Sequence, residues 1–135
     1  MTPVVNAVGL LLRITAAAIL LQTLYFKFTG AEESVYIFST LGAEPWGRLA
    51  SGVAELVTAV LLIVPGTASI GGLLALGVMS GAILSHLTIL GIDVRGDGGL
   101  LFTLAVLVWV AAAGVVWIYR GRLPLVGPVL AGGRA

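Results

Sequence analysis

The stretch SGVAELVTAVLLIV, residues 51–64, decides how the rest of the chain is read. It is apolar enough to lie in lipid, yet Glu55 stands near its middle. A lone charge at the centre of a bilayer costs about 2.5–3.5 kcal/mol on insertion scales, so such a residue needs a partner or a task. Both the lipid and the partner have to be found elsewhere in the sequence.

The lipid reading is supported by composition. Of the 135 residues, 59% are hydrophobic and only 10% charged, where globular chains carry about a quarter. Mean hydropathy is +1.15. A helix needs roughly 20 apolar residues to cross the hydrocarbon core. Runs that meet this need lie at about residues 4–26, 46–64, 70–90 and 100–119. They use most of the chain, so residues 1–135 read as one domain, an all-α integral membrane four-helix bundle. No Lys or Arg precedes the first run, and Arg13 interrupts it. It is therefore expected to be a retained helix, not a cleaved leader.

A net charge of +1 gives no reason to expect nucleic acid as a partner. With no cysteine, this chain alone offers no disulfide framework, CxxC redox pair, thiolate zinc site or iron–sulfur cluster. Its one histidine cannot supply two axial haem ligands within one subunit. No metal site is expected.

The connections are unequal. PGTAS at 65–69 is a tight turn, and GIDVRGDGG at 91–99 is a longer one that lacks the GK[ST] of a phosphate loop. FTGAEESVYIFSTLGAEP at 28–45 holds Val35, Phe38 and Leu41 at three-residue spacing, closed by Gly42 and Pro45. A short interfacial helix is expected there, with Thr29 and Glu32 as a capping box, lying over one mouth of the bundle. The basic residues divide evenly between the two faces. The RGRLP tail at 120–124 tips the expectation toward cytoplasmic termini. Trp46, Trp117 and Tyr119 sit at span ends, where aromatic anchors belong.

For Glu55 the expected partner is Arg13. Counted from span ends on one membrane face, both lie roughly 13–14 Å deep at 1.5 Å per residue. Guanidinium and carboxylate can then bond as a fork. Lys27 follows on the face of Arg13, with Ala17 and Leu24 between, and Arg48, Gly52, Glu55 and Ala59 form a stripe on the second span, while Gln22 and Thr23 are expected to hydrogen-bond across helices with no further role. A polar seam is thus expected to run toward the long connection. Lys27, His86 and the acids Glu32, Glu33 and Asp93 would converge at its mouth. Plainer readings stand beside these: a register-fixing ion pair, a lysine snorkelling to the interface, a hydrogen-bonded histidine. On the third span, Gly77, Gly81 and Ser85, with Gly72, Ala75, Ala82 and His86, suit close helix packing between neighbours. The last span reads as the one facing lipid.

At these residues the chain resembles the DoxX-like family of small four-helix membrane proteins. The likeness rests on LLRITAAAILLQTLYFKFTG at 11–30, LGAEPWGRLASGVAELVTAVLLIV at 41–64 and GVMSGAILSHLTILGIDVRGDGG at 77–99. The family pattern maps onto Arg13, Lys27, Gly52 and Glu55, and His86 is a feature of a subgroup. The resemblance implies an auxiliary subunit of quinone-linked redox systems in a bacterial or archaeal cell membrane, without catalytic activity of its own. Such a subunit would hold a quinone or another small hydrophobic molecule, beside membrane redox partner subunits or further copies of itself. A small-solute carrier and a structural assembly subunit are the alternatives. A carrier requires a path through the seam, whereas an assembly subunit requires no pocket and a tight Arg13–Glu55 pair.

Overall fold

The computed structural model describes residues 1–124, 126–130 and 132. Arg134, one of the basic residues counted for orientation, lies outside them. Four long helices carry the fold: α1 (Pro3–Phe28), α3 (Trp46–Ile63), α4 (Ala68–Ser85) and α5 (Leu100–Ile118). Between the first two lies α2 (Glu32–Thr40), and a short α6 (Gly127–Leu130) follows α5. The four long ones are each long and apolar enough to cross a membrane, and the chain is a membrane protein of four-helix-bundle architecture.

Local signals set the helix ends. Thr2 accepts from the Val5 amide at 3.2 Å, and Pro3 opens α1 where its missing N–H is no loss. The expected capping box of α2 does not form, because Ala31 occupies the N-cap and Thr29 Oγ1 donates back to the Tyr25 carbonyl at 2.8 Å. Thr29 is needed to close α1, so it cannot open α2. Helix α4 runs on into a π-helical turn, His86–Leu90, whose wider winding ends at Gly91 with φ 81°.

The spanning helices form a closed ring in which α1 packs on α3 and α5, and α4 packs on α3 and α5. Small residues line the centre: Ala16 and Ala17 of α1, Ala59 of α3, Ala75 of α4 and Ala112 of α5, all nearly inaccessible. They let the backbones approach, as packing in lipid demands. Large side chains such as Leu11, Val53, Leu73 and Val110 point outward as the lipid-facing belt.

Three packing expectations change. Gly77 and Gly81 would meet nothing within 4 Å if given a Cβ, so they are not close-approach points in this bundle. That role belongs to Gly71, whose Cβ would strike the Leu62 amide nitrogen at 2.8 Å, and to Gly72, which faces Val116 at 2.9 Å. Gly52 packs as expected, with the Phe28 ring 2.6 Å from where its Cβ would be. The least buried span is α4, not α5. Finally, Trp46 and Trp117 are exposed at opposite ends, but Tyr119 is buried at 6% exposure and is no lipid anchor.

Candidate functional site

Below α2 the four long helices stop packing tightly, and a cavity of about 580 Å³ opens between them. Its cover is α2, through Ile37 and Phe38, with Leu41 just past the helix end. Apolar walls come from Val78 and Met79 of α4 and from Leu101 and Leu104 of α5. Opposite these, α1 and α3 supply Lys27 and Glu55, and His86 enters from the end of α4. The expected lid therefore exists as part of the cavity wall.

Glu55 is 3% exposed, and its partner is Lys27, not Arg13. Lys27 Nζ donates to Glu55 Oε1 at 2.7 Å. The single Thr23 hydroxyl proton lies between the Leu20 carbonyl at 3.0 Å and Glu55 Oε2 at 3.1 Å. Lys27 consequently does not snorkel; it turns inward because a carboxylate within reach outweighs the pull of the interface.

Arg13 sits well away from this pair. Its Nε donates to the Leu62 carbonyl at 2.6 Å and its Nη2 to the Ile63 carbonyl at 2.7 Å, so it closes the C-terminal end of α3. The guanidinium also lies 5.5 Å from the centre of the Tyr119 ring. Equal counting from the span ends misplaces Arg13, because α1 has 26 residues and α3 only 18. The longer helix projects further on this face by nearly three turns, so Arg13 is level with the end of α3 and Thr23 is level with Glu55. Arg13 does not line the cavity.

The exchange is reciprocal. Arg48, in the first turn of α3, donates to the Lys27 carbonyl at the C-terminal end of α1, and its guanidinium is held by Glu44 at 2.9 Å. Each helix thus closes the other's carbonyl end with an arginine, where the macrodipole is negative. By fixing the Lys27 carbonyl, Arg48 also fixes the backbone that presents Lys27 to Glu55.

His86 is 6% exposed, and its Nδ1 stands 2.9 Å from the Gly91 carbonyl. A carbonyl only accepts, so Nδ1 carries the proton. In the neutral ring Nε2 then offers a lone pair, and it has no hydrogen-bond partner among the described residues. Phe102 stands edge-on to the ring at 5.8 Å.

The acids expected at the mouth divide. Glu33 lines the cavity, while Glu32 turns out to Arg95 at 3.2 Å and Asp93 accepts from the Gly98 amide at 3.2 Å. Asp97, not anticipated as a site residue, also lines the cavity. Burial pushes its carboxyl up, but amides of Val94, Gly99 and Leu101 and the nearby His86 outweigh this and hold it below its ordinary value. The sequence signal was present, in an Asp followed by two glycines and the first turn of a helix. It reads as a turn, and only the fold brings its carboxylate to the cavity. No group of three or more metal-ligating side chains occurs among the described residues.

In comparisons with known proteins, no family model, no curated protein and no solved structure matches this chain.

Proposed function

We propose that this chain is a DoxX-like multi-pass membrane subunit that binds a quinone-like or other small, largely apolar molecule in the cavity under α2. It performs no catalytic step of its own and serves a membrane redox partner. The observation that carries this reading is the cavity of about 580 Å³ with apolar walls and a few polar groups gathered on one side. Small-molecule sites have this make-up, with volumes of roughly 300–1,000 Å³.

The donor set suits a quinone. Lys27 Nζ has three protons, and Glu55 takes one of them in the described structure. The others can reach a ring carbonyl. His86 Nε2 accepts from a quinol hydroxyl when neutral and donates to a quinone carbonyl when protonated, so the site can hold both redox forms. The chain supplies position and hydrogen bonds, and the quinone would supply the electron chemistry. An assembly subunit without a pocket fits less well, since a cavity is present and Arg13 is not paired with Glu55.

Native mass spectrometry in mild detergent tests the proposal with two variants. Gly81→Leu projects into the cavity from a position where a Cβ meets nothing, and it leaves every charge in place. Wild-type protein is expected to carry a small molecule that Gly81→Leu and Glu55→Gln both lack, and its mass separates quinone from lipid or solute. If neither wild type nor variants carry one, and added short-chain quinone fails to bind, the reading is wrong.

A further inference from the structure

The two ends of the bundle differ in charge. All six acidic residues of the chain are Glu32, Glu33, Glu44, Glu55, Asp93 and Asp97, and each belongs to the half that holds α2 and the cavity. At the opposite end, where α1 begins and α5 finishes, Arg13, Arg120 and Arg122 meet no carboxylate among the described residues. Arg13 is spent on the carbonyls of α3. Arg120 gives Nη1 to the Trp117 carbonyl at the end of its own helix, and its other guanidinium donors, like those of Arg122, have no hydrogen-bond partner among the described residues.

These two arginines are held in place by aromatic rings. The Arg120 guanidinium lies 4.2 Å from the centre of Trp117, and Arg122 lies 5.5 Å from the centre of Tyr119. Tyr119 in turn is buried over Gly9, whose Cβ would strike the phenol oxygen at 2.6 Å, so that end of α5 is locked to α1. Beside Arg120, an apolar groove runs between the start of α1 and the end of α5, floored by Val4, Val5, Val8 and Ile118. Trp117, 68% exposed, forms one rim.

We propose that this groove is a binding site for one anionic phospholipid, distinct from the cavity under α2. The acyl chain lies along the valines, and the phosphate takes the remaining guanidinium donors of Arg120, with Arg122 beside it. The apolar floor selects a lipid over free phosphate. The absence of carboxylates at this end, among the described residues, selects an acidic headgroup over a zwitterionic one. The planar fork of arginine matches a phosphate, and stacking on Trp117 orders the fork before the lipid arrives. A juxtamembrane arginine contributes roughly fivefold in affinity for an acidic lipid.

The test is native mass spectrometry of the full chain in mild detergent, titrated with phosphatidylglycerol or phosphatidylcholine of identical chains. One phosphatidylglycerol is expected to stay bound where phosphatidylcholine leaves. Arg120→Gln should lower its retention about fivefold, and Val8→Phe, which fills the groove without changing charge, should lower it as well. Arg95→Gln, at the acidic end, should have no effect. Equal retention of both lipids, an equal loss with Arg95→Gln, or full protection by inorganic phosphate alone would each overturn the site. Should Arg120→Gln fail to fold, unchanged lipid retention by Val8→Phe suffices to reject it.

Discussion

Arg13 and Lys27 stand on the same helix, on nearly the same face, and both turn inward, but they are satisfied in opposite ways. Arg13 bonds two neutral carbonyls at the end of α3, while Lys27 bonds a carboxylate inside the bundle. A guanidinium has five donors in a plane and stays charged in any surroundings, so a helix end with its orphan carbonyls and negative dipole is enough to hold it. An ammonium is compact and more strongly hydrated, and burying it calls for a full counter-charge. The first arrangement is sealed by Tyr119 and serves the fold. The second borders a cavity and leaves donors free, which is why the ligand reading rests there.

The comparison can be broken most sharply at the carboxylate end. Lys27→Met leaves Glu55 buried without a counter-charge and should cost about 3–5 kcal/mol of bundle stability. Lys27→Met combined with Glu55→Leu should recover most of that loss while abolishing ligand retention. Reversible unfolding in mixed micelles, set beside native mass spectrometry of the same samples, measures both. Full stability loss in the double variant would mean that the pair holds the fold and not the site.

At the other end, Arg13→Met strands the Leu62 and Ile63 carbonyls and should cost about 2–3 kcal/mol, with ligand retention unchanged in whatever remains folded. Arg13→Lys should fall between, because one ammonium cannot reproduce the planar contact with two successive carbonyls. A loss of ligand in folded Arg13→Lys would erase the distinction drawn here.

Asp97 sharpens it through pH. Its folded carboxyl lies below the ordinary value, so its contribution is fully present above the ordinary carboxylate range and is lost as pH falls through the lowered folded value. Asp97→Asn should therefore be less stable than wild type at pH 7, with the gap narrowing as pH falls below the ordinary carboxylate range, as thermal unfolding across a pH series would show. The smallest effect is expected at Gly77→Ala, within about 0.5 kcal/mol of wild type or slightly stabilising, since its Cβ enters open space and helix propensity improves. A loss of several kcal/mol there would point to a second chain packed on α4.

Much of this molecule was legible in one dimension. Four apolar runs of spanning length, the Pro and Gly breaks between them and the amphipathic spacing over 32–40 are local properties, and the helices fall within a few residues of where they were expected. Lys27 and His86 were expected at the mouth of a polar seam that starts from Glu55 deeper in the bundle, and all three line one cavity. The pairing among them was not legible. Which cation meets Glu55 depends on how far α1 slides along α3, and a slide of nearly three turns takes Arg13 away from Glu55 and brings Lys27 within reach of it. The same holds for the glycines. Spacing marks Gly72 and Gly77 alike as small, and only the approach of α5 makes one a contact and leaves the other open. The sequence determined that four helices cross a membrane and that a few charges must be hidden among them, because lipid tolerates neither bare backbone nor lone charge. The tertiary structure alone decided which charges meet and where a cavity remains, because those follow from helix register and contact distance, which no local run of residues encodes.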